Sequence, residues 1–163
     1  MRFVAFLRAI NVGGHVVKMD RLRTLFEELD LANVETFIAS GNVLFDSRAA
    51  AATLESRIEK HLHAALGYDV ATFLRTGAEL AAVGEHDVNY VGFLKSEPQA
   101  PEKLLALTPA GDELTIDARE VYWLIRERIS DSPLNNAKIE RALGMPITMR
   151  NMNTVRKLAA KLA

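Results

Sequence analysis

The first ten residues restrict the folding choices of this chain more than any other stretch. Over residues 2–10, Phe3, Ala5, Leu7 and Ala9 alternate with Val4, Phe6, Arg8 and Ile10. Both faces of an extended segment would therefore be largely apolar, and such a strand has to be covered on two sides. Asn11-Val12-Gly13-Gly14-His15 interrupts it. Met19, Leu22, Leu25, Phe26 and Leu29 then follow helical spacing, with Asp20 near the helix start, where an acid is favoured.

The same alternation of periods continues. Val34–Ala39 reads as a strand, Ser40-Gly41-Asn42 as a turn and Asn42–Phe45 as its hairpin partner. A glycine placed first in a two-residue turn suits a type II′ geometry, which needs positive φ there. Leu54, Ile58, Leu62, Ala65 and Leu66 mark a second helix, Gly67 is its C-terminal stop, and Val70–Leu74 is a fourth strand. The order is βαββαβ, the ferredoxin-like split unit.

The pattern then repeats in outline, though not in residues. A short helix over 78–84 leads to a strand Tyr90–Leu94 and a helix Glu102–Leu107. Strands Glu113–Ile116 and Glu120–Arg126 join through Asp117-Ala118-Arg119. A helix Asn136–Leu143, stopped by Gly144 and Pro146, precedes a last strand Pro146–Met149. Val155, Leu158, Ala159 and Leu162 predict a closing amphipathic helix with Asn153 as N-cap. The expected fold is therefore α+β: two tandem ferredoxin-like βαββαβ units packed as one compact body, with a C-terminal helix. The first unit is expected over residues 1–75, a connecting segment over 76–89 and the second unit with its helix over 90–163. No Pro/Gly/Ser-rich linker separates the halves, and the second half is expected to cover the open face of the first sheet.

Composition excludes several classes. A chain of 163 residues buries roughly two-thirds of its unfolded surface and needs no cross-link to fold. With no cysteine it has no disulfide framework, zinc-thiolate site or Cys nucleophile, which fits a reducing compartment. Arg8 cuts the N-terminal apolar run far short of a signal or membrane span, so the protein is expected to be cytoplasmic. The net charge of −1 argues against the overall basic footprint of a nucleic-acid binder. Charge is unevenly spread: residues 77–120 hold nine acidic and three basic side chains, whereas residues 145–163 carry Arg150, Arg156, Lys157 and Lys161 and no acid.

The run Leu7-Arg8-Ala9-Ile10-Asn11-Val12-Gly13-Gly14, then Val17-Lys18-Met19, Leu22-Arg23 and Ser40-Gly41-Asn42-Val43, resembles the bacterial domain-of-unknown-function family 1697. Thr148-Met149-Arg150-Asn151-Met152-Asn153-Thr154-Val155, followed by Lys157-Leu158, resembles the second signature of that family. Ala9 stands where the family usually has glycine, and Met152 where it usually has tryptophan. The second change removes an indole and any stacking role with it. The resemblance implies a tandem ferredoxin-like fold and a cytoplasmic bacterial setting, and no established activity.

Two segments are candidate anion sites. In the loop Asn11–Lys18, Gly13 and Gly14 let the backbone turn and present N–H groups beside a helix start, and Arg8 and Lys18 add charge. The first two strands of a βαββαβ unit run parallel, so Ser40, Gly41 and Asn42 should lie at the same sheet edge. The bland alternative is that the glycines only make turns. The loop has neither P-loop nor dinucleotide spacing. The second candidate is Arg150, Asn151 and Asn153 at a helix start, where an arginine beside helix N–H groups suits an anion. Helix capping by Asn151 or Asn153 and pairing of Arg150 explain the same residues.

Histidines offer less. His61 and His63 are two apart on a helix and point different ways. His86 reads as surface. His15 alone stands where a general base would be useful. No Ser-His-Asp order, metal-ligand cluster or cofactor motif is visible. The leading expectation is a binding protein for a small phosphorylated or carboxylated ligand, held at the edge formed by Asn11–Lys18 and Ser40–Asn42. The rivals are nucleic-acid binding through the basic C-terminal helix, an enzyme using His15, and a protein-interaction module. The oligomeric state is not legible.

Overall fold

The computed structural model describes residues 1–8, 10, 16–37 and 41–163. By contact density the chain divides into Met1–Leu80 with Ala160–Ala163, and Ala81–Ala159.

The first unit is built from β1 (Arg2–Leu7), α1 (Met19–Glu27), β2 (Ala32–Thr36), β3 (Asn42–Asp46), α2 (Ala51–Leu66), β4 (Thr72–Thr76) and α3 (Gly77–Val83). Its sheet order is β2-β3-β1-β4, antiparallel throughout. This is the βαββαβ topology expected from the apolar periods. Leu22, Leu25 and Phe26 of α1 and Leu54, Ile58 and Leu62 of α2 are buried. They share a core with Phe3, Ala5, Leu7, Val43, Phe45 and Leu74 of the sheet. The opposite sheet face is buried too: Val4, Phe6, Leu44, Phe73 and Arg75 are at most 1 % exposed. That agrees with the two-sided apolar pattern of the first strand. α2 ends at Gly67, at φ 83°, its N–H donating to the His63 carbonyl.

The strand β1 is shorter than the expected 2–10, ending at Leu7. The hairpin ladder also closes early. β2 ends at Thr36, short of the expected strand end at Ala39, and Phe37 N donates to the Asn42 carbonyl at 2.9 Å. Thr36 pairs with Val43, so Gly41 and Asn42 are not the central residues of a two-residue turn. Gly41 does have positive φ, 85°.

Both edges of this sheet are blunted. β2 carries a register irregularity between Ala32 and Glu35, with Asn33 at φ 51°. On β4, alternate N–H groups point away from β1, and each meets a carboxylate. Thr72 N donates to Glu59, Leu74 N to Glu55 and Thr76 N to Glu79, all at 2.9 Å. Such an edge offers few free donors to another strand.

The second unit has β5 (Tyr90–Phe93), α4 (Glu102–Leu105), β6 (Glu113–Asp117), β7 (Glu120–Leu124), a 3-10 turn (Ile129–Asp131), α5 (Asn136–Leu143), β8 (Thr148–Asn151) and α6 (Met152–Leu162). Its order, β6-β7-β5-β8, reproduces the first sheet. Leu104, Val121, Trp123, Leu134, Ile139 and Ile147 form its core. Tyr122 on the other face of β7 is also buried, so both aromatic neighbours are internal. Asn135 caps α5 by accepting from Lys138 N at 2.9 Å, and Gly144 ends it at φ 72°.

The strand registers expose a repeat at residue level, contrary to the outline-only repeat read from sequence. Val4 faces Arg75 across β1 and β4, and Val91 faces Arg150 across β5 and β8. Val4-Ala5-Phe6-Leu7-Arg8 therefore corresponds to Val91-Gly92-Phe93-Leu94-Lys95. Leu7 N donates to Gly41 O as Leu94 N does to Arg119 O. Glu140 caps Ile147 N at 2.8 Å as Glu59 caps Thr72 N. Thr76 accepts from Glu79 N, and Asn151 accepts from Thr154 N. The helices obscure this repeat in the sequence, since α2 has 16 residues and its counterpart α5 has 8.

Candidate ligand-binding site

At the predicted loop edge of the first unit, β1 and β2 both run antiparallel to β3 and hence parallel to each other. Their C-terminal ends meet as expected. Arg8 follows β1 directly, half-buried, with its N–H on the Ala71 carbonyl at 2.9 Å. Lys18 is exposed and stands at the N-cap of α1 in extended conformation. Asn11, Gly13, Gly14, His15 and Ser40 lie outside the described residues.

Gly41 and Asn42 have local structural duties. A Cβ on Gly41 would lie 2.7 Å from Ile10 Cγ2 and 3.1 Å from Leu7 Cβ, so glycine is needed there for space as well as for φ. Asn42 is wholly buried, and its Nδ2 donates to the Phe37 carbonyl at 2.9 Å, holding the hairpin mouth together.

The Arg150–Thr154 segment splits by strand parity. Arg150 is in β8, with its side chain on the sheet face opposite to Asn151. It is 7 % exposed, and its Nη1 donates to Thr148 Oγ1 at 2.7 Å and to the Met149 carbonyl at 2.9 Å. Burial pushes its guanidinium down to about 10, so it still carries charge at neutral pH. The helix cap is Asn151, not Asn153: its Oδ1 accepts from Thr154 N at 2.8 Å. Met152 is buried, and its N–H donates to the Asn89 carbonyl at 2.9 Å.

Asn151 and Asn153 are brought together in an open cavity of about 490 Å³. Its walls come from three segments of the second unit. Val88, Asn89 and Tyr90 lead into β5, Ile125, Glu127, Arg128 and Ile129 follow β7, and Asn151, Met152, Asn153 and Arg156 open α6. Asn89 braces two of these segments, accepting from Ile125 N at 2.8 Å and donating to the Ile125 carbonyl at 3.0 Å. Arg156 is anchored through Nε to the Gly84 carbonyl at 3.1 Å and through Nη2 to the His86 carbonyl at 3.0 Å. Among the described residues, the side chains of Arg128 and Asn153 and the Nδ2 of Asn151 have no hydrogen-bond partner. Glu127 is the one acid on the wall.

Sequence reasoning missed Arg128 and Arg156 as site residues. A weak signal existed for the second: Asn153 and Arg156, three apart, share a helix face. Nothing local marks Arg128, because the cavity forms only when the segment after β7 folds against the start of α6. The predicted basic patch is also divided. Arg150 is buried, Arg156 is tied to carbonyls, and Lys161 pairs with Glu35 and lies 5.4 Å from the centre of the Phe37 ring.

The described histidines have separate partners. His61 meets Glu28 at 2.9 Å, and His63 meets Asp69 at 2.8 Å. His86, expected at the surface, is half-buried and stacked on Tyr122 with ring centroids 3.8 Å apart. Among the described residues no group of three His, Asp or Glu side chains is placed to hold a metal ion, and no helix is long and apolar enough to cross a membrane.

The architecture is thus a pair of ferredoxin-like units in which the second carries a polar, arginine-lined cavity. The chain belongs to the DUF1697 family, described as proteins of unknown function, whose pattern matches residues 1–122. The Arg150–Thr154 segment lies beyond the matched residues. The structure of the conserved bacterial protein SP0830 from Streptococcus pneumoniae is similar over 99 % of this chain and 97 % of that one, with a TM-score of 0.74 at 23 % identity. At that identity the likeness establishes a shared fold. No curated protein matches.

Proposed function

We propose that this protein binds a small anionic ligand, phosphorylated or carboxylated, in the cavity at the start of α6. The observation that carries the reading is the set of donors lining it: the side chains of Arg128 and Asn153 and the Nδ2 of Asn151 are uncommitted, and Arg156 is held in place among them. Its size falls within the range of small-molecule sites. Arginine presents a planar fork that suits phosphate and carboxylate oxygens. Arg8, Lys18, Gly41 and Asn42 form a separate edge. Gly41 and Asn42 are accounted for there by the hairpin, and among the described residues Lys18 is its exposed cation.

The test is a thermal-shift titration of the whole chain with inorganic phosphate and acetate, alongside short RNA and DNA. A ligand at a hundred times its dissociation constant adds about 2.7 kcal/mol to folded-state stability. Phosphate should raise the midpoint of the wild type and of Lys18→Ala, and not that of Arg128→Ala. A rise lost in Lys18→Ala and kept in Arg128→Ala would move the site to the loop edge. No rise with either anion would refute the reading. A rise with RNA or DNA alone, falling steeply with salt, would replace it with nucleic-acid binding.

A further inference from the structure

The polar cavity does not stand alone. A second cavity of about 420 Å³ lies beside it, lined by Trp123, Ile129, Leu134, Ala137 and Met149, with Asn135 and Asn136 at its rim. Ile129 lines both. The strand pairing shows why they adjoin. Tyr90 faces Trp123 on one side and Asn151 on the other, and Met149 lies two residues before Asn151, so all four side chains occupy one face of the second sheet. The rings of Tyr90 and Trp123, one from each cavity, have centroids 6.4 Å apart. Ile129 is 37 % exposed on its 3-10 turn, although it is apolar and sits between two hollows. Trp123 forms the floor of the second hollow. Its indole N–H donates to Asp112 Oδ2 at 3.0 Å, which fixes the ring.

We propose that the ligand is amphipathic: an anionic group held by Arg128, Asn151, Asn153 and Arg156, joined to an aromatic ring that lies against Ile129, Ala137 and Met149 above Trp123. This rests on the anion-site reading above. It adds the chemistry of the rest of the ligand. A lone inorganic anion would leave most of the polar cavity and all of its apolar neighbour to water. An anion bearing a ring reaches into both and covers Ile129. The charge pattern sets the orientation. The arginines are all at the polar end, and the apolar end has no charged side chain on its wall.

Trp123 is the single tryptophan of the chain, so its emission reports directly on the apolar hollow. The whole 163-residue chain is titrated by calorimetry and by Trp123 fluorescence with inorganic phosphate and with phenyl phosphate. The variants are Arg128→Ala and Ala137→Phe. Ala137 is exposed on the first turn of α5, so the larger side chain fills the hollow from outside without entering the core. Phenyl phosphate should bind at least tenfold more tightly than phosphate and change the Trp123 emission. Ala137→Phe should abolish that advantage and leave the affinity for phosphate intact, whereas Arg128→Ala should weaken both. If phenyl phosphate binds no better than phosphate, or keeps its advantage in Ala137→Phe, the amphipathic ligand is wrong and the anion site stands. If neither compound binds, both readings fall.

Discussion

Gly92 offers a quantitative test of the repeat. It lies in β5, between β7 and β8, so neighbouring ladders hold its backbone on both sides. A Cβ there would stand 2.3 Å from Ile147 Cδ1, 2.9 Å from Ile147 Cγ1 and 3.4 Å from Met149 Cε. Ile147 is fully buried, so relief requires an off-rotamer side chain or a shift of β8. Overpacking of this kind costs about 1–3 kcal/mol. Loss of glycine freedom in the unfolded chain returns roughly 0.4–1 kcal/mol. Gly92→Ala should therefore destabilise by about 1–2 kcal/mol. The first unit has solved the same contact differently, with Ala5 where Gly92 stands and Thr72 where Ile147 stands. Ile147→Val removes the Cδ1 of the closest contact at a cost of about 0.5–1.5 kcal/mol on its own. In the double variant the two costs should offset each other, leaving it about 1 kcal/mol more stable than the sum of the singles predicts. Urea unfolding followed by Trp123 emission, with unchanged slope, measures all four corners of the cycle. Additivity to within about 0.5 kcal/mol would mean the two side chains do not compete for space, and the reasoning would fail.

Two further outcomes follow from local geometry. Gly41 and Gly67 both have positive φ, yet a Cβ at Gly67 meets nothing within 4 Å. Gly41→Ala should thus cost about 1–3 kcal/mol more than Gly67→Ala in chemical denaturation, the excess being the clash with Ile10 and Leu7. Equal costs would show that φ alone matters. The Asp46 carboxyl is held below its ordinary value chiefly by the Asn33 amide at 2.6 Å, with a further contribution from Arg2 at 3.2 Å. A depressed acid contributes stability above its unfolded pKa and loses it as pH falls through the folded value. The stability advantage of the wild type over Asp46→Asn should accordingly shrink below about pH 4. An advantage constant from pH 2 to 6 would sever it from this carboxylate.

Much of the fold was legible in the residue pattern. Leu54, Ile58 and Leu62 recur at helical spacing because one helix face must enter the core. Val4 and Phe6 on one side and Phe3, Ala5 and Leu7 on the other marked a strand buried twice. Gly67 and Gly144 marked helix ends because a left-handed cap tolerates glycine best. The ends of β1 and β2 were misplaced because ladder length depends on the partner strand, which local apolarity does not reveal. The sequence pattern favours Asn153 as the cap, whereas Asn151 takes that role because β8 runs directly into α6.

The site shows the same division more sharply. Asn151 and Asn153 stand out in the sequence by their residue types, which are those of a helix start. Arg150 lies beside them in sequence, and strand alternation sends its side chain to the opposite face, into burial. Arg128 and Arg156, 28 positions apart by their numbering, share a wall only because the turn after β7 packs against the first turn of α6. Local periodicity and turn chemistry thus determined which elements form and in what order, since those preferences act over a few residues. Tertiary structure alone decided which side chains converge, because a cavity is made where segments distant in sequence meet, and no single segment encodes that meeting.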